Sequence, residues 1–250
     1  MNFYQGREKM DTKTVLITEA AFNLGPQVAL LFAEEGSNLI LNTANDIDRL
    51  SGVASRVHEL NVKTITYRAN VGDQSEVTNL VSKGIEVFGT IDVVINNTIG
   101  ESSQELLSKT SFEDWAKKIH VDVTGTLMVC QVVLPFMVAK KWGRIINYIG
   151  SDGFDGSHIT SSTTDLGVVG LTRGIAREYK DYNITANCIS VGNTEVGSNE
   201  LYSNNPIDQS GSVRLGTAEE CVVLSSSLVS EHSGHITGQC LLVNGGKYFL

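Results

Sequence analysis

The sequence predicts a single α/β domain in which helices cover both faces of a parallel β-sheet. Two observations lead to this prediction. Short segments rich in Val, Ile and Thr alternate with helical segments along the chain, and this alternation is typical of parallel α/β folds. Several of the short segments, such as Val93-Val94-Ile95, are apolar without interruption, which indicates strands that are buried on both faces.

The predicted elements follow one another in a regular order. A first strand leads into a turn and then a helix, where Pro26 stands at a predicted first helical position. Later strands are expected where β-branched residues cluster, and helices where apolar residues recur three and four positions apart. The predicted strands are 14–18, 38–43, 64–69, 91–96, 144–149, 184–189 and 239–243, and the predicted helices are 27–35, 46–60, 74–88, 112–140, 166–179 and 218–229.

One domain accounts for nearly the whole chain. Its 250 residues can bury a large core, and no internal repeat or linker divides them. We expect an N-terminal extension at 1–12 and one domain at 13–250. Four cysteines are far apart and lack metal-ligand spacing, so reduced thiols and no metal site are expected. These are Cys130, Cys188, Cys221 and Cys240.

The charge of the chain excludes some partners. Acidic residues outnumber basic ones by 28 to 19, for a net charge of −9. Nucleic acids and anionic membrane surfaces favour clustered Lys and Arg, so neither partner is expected. The first ten residues lack the apolar core of a signal peptide, and no apolar run approaches the roughly 20 residues of a membrane span. We therefore expect a cytoplasmic protein.

Several short motifs resemble those of the short-chain dehydrogenase/reductase family. They are TEAAFNLG at 18–25, Asn96-Asn97 after the fourth strand, GRIIN at 143–147, GLTR at 170–173, ITGQ at 236–239 and NGG at 244–246. Their order and spacing match the family over about residues 13 to 246. The resemblance implies a Rossmann-like fold, in which a dinucleotide binds at the carboxyl ends of the strands.

The dinucleotide-binding positions depart from the family pattern. The family's first turn reads Thr-Gly-x-x-x-Gly-x-Gly, whereas Glu19 and Asn23 replace two of these glycines and Gly25 alone remains. Glycines there let the backbone approach the diphosphate, and a carboxylate at Glu19 would repel it. Asn42 stands where an acidic residue holds the ribose, and Asn70 replaces the Asp beside the adenine. With Asn96 they form a degenerate set, so no cofactor is expected in this chain.

The catalytic positions depart further. In the family, Tyr-x-x-x-Lys places a proton-donating phenol one helical turn before a Lys that lowers the phenol's pKa. Here those positions are Ser161 and Asp165, and the tetrad's Asn is replaced by Asp122. Ser151 matches the catalytic Ser only approximately, because it lies ten positions before Ser161. These residues predict that the chain does not transfer hydride.

Two functions remain. The first is a catalytically inactive subunit of a heteromeric, NAD-dependent dehydrogenase of the hydroxyacyl-CoA type, as in anaerobic benzylsuccinate (toluene) degradation. Its partner would be an active paralogous subunit that carries NAD, in a heterotetramer, because the family's long helix and the helix after the catalytic motif form subunit contacts. The second is a cofactor-independent lyase or hydrolase on the same fold. Its acid–base groups would be His158, Asp165 and Asp122, facing one crevice with Ser151 and Ser161.

Overall fold

A computed structural model describes residues 13–98, 106–192, 194 and 214–249 of the chain. In this part a seven-stranded parallel sheet has the strand order β3-β2-β1-β4-β5-β6-β7. The sequence order reverses between β1 and β4, so their carboxyl ends flank a crevice. The strands are β1 Thr14–Ile17, β2 Asn38–Thr43, β3 Thr64–Arg68, β4 Val93–Asn96, β5 Gly143–Ile149, β6 Ile184–Val191 and β7 Cys240–Val243.

Helices cover both faces of this sheet, as the uninterrupted apolar strands predict. One apolar core joins α1, α2 and α8 to the sheet, and a second joins α3, α5 and α7 to its opposite face. The helices are α1 Gly25–Glu34, α2 Ile47–His58, α3 Gln74–Phe88, α4 Phe112–Ile119, α5 Thr126–Lys140, α6 Asp152–Asp155, α7 Ile159–Glu178 and α8 Ala218–Val229.

Side-chain caps fix where several helices begin. The carboxylate of Asp73 accepts hydrogen bonds from the amides of Ser75 and Glu76 at the start of α3. Thr217 and Glu220 form a reciprocal capping box at the start of α8. Such caps satisfy amides that have no partner within the helix. These caps explain why both helices begin at the residues that the sequence predicts, and both also end at the predicted residues.

Two predicted helices differ clearly from the structure, and the short helix α6 was not predicted. The segment expected as one helix, 112–140, contains a π-helical turn at His120–Gly125 between α4 and α5. Helix α7 begins at Ile159, seven residues before the predicted start. Its first turns are rich in Ser and Thr, which lower helix propensity, but here the hydroxyls bond within the helix, as from Thr163 to the carbonyl of Ile159. Expected features at 1–12 lie outside the described residues.

The long helical run Phe112–Lys140 could cross a membrane by length and composition alone. The expectation that no such run exists was therefore wrong. Val129, Val133 and Met137 are fully buried in the core against the sheet, however, which is the usual place of an apolar core helix in a soluble protein. The opposite face of this run is partly exposed.

Candidate functional site

The turn between β1 and α1 brings backbone segments into close contact at the crevice. A Cβ atom on Gly25 would lie 2.6 Å from the carbonyl oxygen of Glu19 and 2.7 Å from Cα of Ala20, so only glycine fits. Glu19 and Asn23 adopt positive φ angles of 46° and 50°. Glycine takes such angles without steric cost, and Asn tolerates them better than Glu does.

The side chain of Glu19 reaches from this turn to the end of β2. Its carboxylate accepts a hydrogen bond from the amide of Ala44 at 3.0 Å and one from Oγ1 of Thr43 at 3.3 Å. Burial raises the pKa of Glu19, and the two hydrogen bonds partly oppose that change. A carboxylate is thus fixed across the space between the first turn and the second strand.

Two other predicted positions have structural contacts. The buried amide of Asn42 donates to the carbonyls of Tyr67 and Ala69, at 3.2 and 2.9 Å, and so ties β2 to β3. The side chain of Asn70 accepts from the amide of Gly72 at 2.9 Å, which closes the turn before α3. Neither group is directed into the crevice by these contacts.

Asn96 begins a buried polar chain beneath the crevice. Its Nδ2 donates to Oδ1 of Asn147 at 2.8 Å, and Nδ2 of Asn147 donates to Oγ1 of Thr172 at the same distance. These bonds link β4, β5 and α7. The neighbouring Asn97 donates to the carbonyls of Glu19 and Phe22, and so holds the first turn in place.

The replaced catalytic positions lie around one cavity of about 160 Å³. Asp122, Ser151, Ser161 and Asp165 all line it, as the sequence predicts, although they come from three different parts of the chain. Lys118 also lines the cavity. A polar, partly enclosed cavity therefore persists where the family carries out proton transfer.

Asp165 holds the loop after β5. Its two oxygens accept hydrogen bonds from the amides of Gly150 at 3.1 Å and Gly153 at 3.2 Å. Burial raises the pKa of Asp165 to about 6, although the hydrogen bonds from these two amides favour the charged form. A carboxyl group with that pKa can give or take a proton near neutral pH.

Asp122 lies in the π-helical turn and pairs with Lys118, one turn earlier. Nζ of Lys118 lies 2.7 Å from Oδ2 of Asp122, and both side chains are largely buried. Burial raises the pKa of Asp122, whereas the charge of Lys118 lowers it. Lys118 was missed as a site residue, since Lys117-Lys118 looks like a solvated pair. The four-residue spacing from Asp122 was the signal that could have revealed it.

Ser161 and His158 have different environments. The hydroxyl of Ser161 is buried at the cavity and has no hydrogen-bond partner among the described residues. His158 is not a lining residue: its Nδ1 lies 2.9 Å from Oδ2 of Asp152, which does line the cavity. The expectation that His158 faces the crevice was wrong, because its position just before α7 directs the ring to Asp152.

Comparison with known proteins identifies the family. The family description "short chain dehydrogenase" matches residues 13–206. The chain belongs to the short-chain dehydrogenase family. It is 31% identical over 245 residues to the 3-oxoacyl-[acyl-carrier-protein] reductase FabG of Staphylococcus aureus strain N315, covering 95% of this chain and 98% of the relative. It is also 31% identical over 248 residues to the (2S)-[(R)-hydroxy(phenyl)methyl]succinyl-CoA dehydrogenase subunit BbsD of Thauera aromatica, covering 95% and 97%.

Solved structures of short-chain dehydrogenases have the same architecture. NAD+-bound xylitol dehydrogenase matches with a TM-score of 0.85 and 25% identity, over 96% of this chain and all of that one. Levodione reductase matches with a TM-score of 0.88 and 26% identity, over 95% and 98%. These matches agree with a Rossmann-like fold, in which the cavity and the first turn lie at the carboxyl ends of the strands.

Proposed function

We propose that this short-chain dehydrogenase homologue is a non-catalytic subunit that assembles with an active, NAD-dependent homologue. The observation that carries the proposal is the position of the Glu19 carboxylate, which bonds to Thr43 and Ala44 at the end of β2. In Rossmann-type sites, the diphosphate contacts the first turn and the ribose contacts the end of the second strand. A partly buried carboxylate in that space repels the diphosphate and occupies the ribose contact. The residues present do not fit a dinucleotide.

The side chains that line the cavity also support a non-catalytic role. The Ser161 hydroxyl is a poor acid near neutral pH, and Asp165 brings a negative charge rather than the Lys cation that activates the family's phenol. The carboxyl of Asp165 is already engaged by two backbone amides. The donor of the proton and its activating cation are therefore both missing from the positions that match the family's motif.

Exposed apolar surface on α5 and α7 favours a partner chain. Leu127, Phe136 and Leu166 are 41% to 49% exposed. Gly170 and Gly174 lie in the middle of α7, and a Cβ on either would meet no described atom within 4 Å. A glycine inside a helix costs about 1 kcal/mol relative to alanine. Small residues on an exposed helix face allow a second helix to approach closely, so these glycines suit a subunit contact.

The names of the relatives indicate a substrate class for the active partner. BbsD of Thauera aromatica is named as a subunit of a hydroxy(phenyl)methylsuccinyl-CoA dehydrogenase, and FabG is named as a 3-oxoacyl-[acyl-carrier-protein] reductase. We propose that the active partner acts on a hydroxyacyl thioester of the 2-(hydroxyphenylmethyl)succinyl-CoA kind, in a heterotetramer in the cytoplasm. This assignment comes from the relatives and from the pattern of replaced residues.

Co-expression with a homologue that retains Tyr-x-x-x-Lys tests the assembly. Native mass spectrometry should then detect tetramers that contain both chains in equal number. Leu166→Asp should weaken mixed assembly at least tenfold, since it puts a charge into the proposed contact on α7. Ile47→Asp, a similarly exposed apolar position on α2, is the matched control and should leave assembly unchanged. Homo-oligomers alone, or equal effects of the two substitutions, would overturn the proposal.

The cavity itself favours one alternative, a cofactor-independent lyase. Asp165 has a pKa suited to proton transfer, and the Lys118 ammonium could stabilise a developing oxyanion. A panel of β-hydroxyacyl thioesters without nucleotide tests this alternative by loss of water. Turnover should fall at least a hundredfold in Asp165→Asn and in Lys118→Met but persist in His158→Gln, because His158 lies outside the cavity lining. Absence of turnover in the unmodified chain would exclude the lyase.

A further inference from the structure

Two of the four cysteines lie side by side on neighbouring strands. Cys188 of β6 is paired with Cys240 of β7 in the parallel register, and the Cys188 amide donates to the carbonyl of Gln239. In-register residues of neighbouring parallel strands project to the same face of the sheet. Strand neighbours are about 4.8 Å apart, within the range of about 4.4 to 6.8 Å that Cα atoms span in disulfides.

The two thiols differ in accessibility and acidity. Cys188 is fully buried, whereas Cys240 is partly exposed on the edge strand. The neighbouring Cys240 thiol raises the pKa of Cys188, as does burial, whereas the neighbouring Cys188 thiol lowers the pKa of Cys240. Thiolates are the reactive form of cysteine, so Cys240 is the better nucleophile and Cys188 is positioned to react second.

The pair also lies next to the candidate site. Cys188 belongs to a small apolar cluster with Ile149 and Val168, and Cys240 packs against that cluster. Ile149 and Val168 also line the cavity. A covalent change at the cysteines therefore acts directly beneath the cavity and at the last strand of the sheet.

We propose that Cys188 and Cys240 form a redox-active thiol pair, which a low-molecular-weight disulfide such as oxidised glutathione converts to an intramolecular disulfide. The Cys240 thiolate attacks one sulfur of oxidised glutathione, whose S–S bond breaks and releases one glutathione thiolate. Cys188 gives its proton to that thiolate and attacks the Cys240 sulfur of the mixed disulfide, which expels the second glutathione. Two protein thiols are oxidised, and one oxidised glutathione is reduced to two thiols.

The test is the number of free thiols in the purified full chain after exposure to oxidised glutathione. Alkylation after denaturation should fall from four reactive thiols to two, with one peptide pair linked through Cys188 and Cys240. The double variant Cys130→Ser/Cys221→Ser should still lose two thiols. The variant Cys188→Ser should instead keep a stable glutathione adduct on Cys240, since no second thiol can release it.

Three results would overturn the proposal. These results are the retention of all four thiols, a lasting glutathione adduct without the Cys188–Cys240 disulfide, and a disulfide between a different pair of cysteines. The linked chain should also have a higher thermal unfolding midpoint than the reduced chain, because the bond closes a long loop in the unfolded state. An equal or lower midpoint would show that the bond distorts the strands rather than joining them in their native register.

Discussion

Replacement of Asp165 by Asn should change how the stability of this protein depends on pH. Asp165 is 7% exposed, and its pKa rises from an ordinary 3.8 to about 6 because the carboxyl is buried. A raised carboxyl pKa means that the folded state favours the protonated form. Asp165 is therefore neutral in the folded chain at low pH, and it costs stability as the pH rises from about 4 to above 6.

The size of this cost follows from the two pKa values. Each unit corresponds to about 1.4 kcal/mol, so the ionised group lowers the free energy of unfolding by about 3 kcal/mol at pH 8. Asn has the same shape and does not titrate, although its single side-chain oxygen can accept only one of the two hydrogen bonds from the backbone amides. Urea unfolding followed by circular dichroism from pH 4 to pH 8 gives the difference between the two proteins. The native chain should lose about 3 kcal/mol relative to Asp165→Asn, and a difference that stays constant with pH would refute this reasoning.

Two further predictions concern the first turn and the buried ion pair. Gly25→Ala should lower the free energy of unfolding by about 2 kcal/mol, because the added Cβ overlaps the backbone. Gly52→Ala, in open space within α2, should instead raise the free energy of unfolding by up to about 1 kcal/mol. Equal effects of the two substitutions in urea unfolding would contradict this reasoning. Lys118→Met should cost about 3 kcal/mol, since it leaves the Asp122 carboxylate buried without its cation. Adding Asp122→Leu should recover part of that loss, and no recovery would show that the pair is not coupled.

The strands and most helix ends could be predicted because local sequence decides them. Uninterrupted apolar runs such as Val93-Val94-Ile95 form the buried strands. The caps at Asp73 and Thr217 fix the residues at which α3 and α8 begin. The early start of α7 could not be predicted from apolar spacing. Its first turns depend on hydroxyl groups that bond within the helix, such as that of Thr163.

The candidate site was predictable where motif spacing decides it and not where long-range contacts do. Ser161 and Asp165 share one face of α7 because they are four residues apart. The contact of Glu19 with Ala44 depends on a positive φ angle and on the pairing of β1 with β2, which no local pattern reveals. The burial of Lys118 depends on how α4 packs against α7, so its sequence pattern alone suggests a solvent-exposed lysine.

The measurement that tests the central claim most directly is the number of NADH molecules bound per chain. Fluorescence titration would be carried out on this chain alone and on its complex with an active homologue. The proposed function predicts no NADH binding by the chain alone and one NADH for every two chains in the mixed complex. Binding by the chain alone, or two NADH for every two chains, would contradict it.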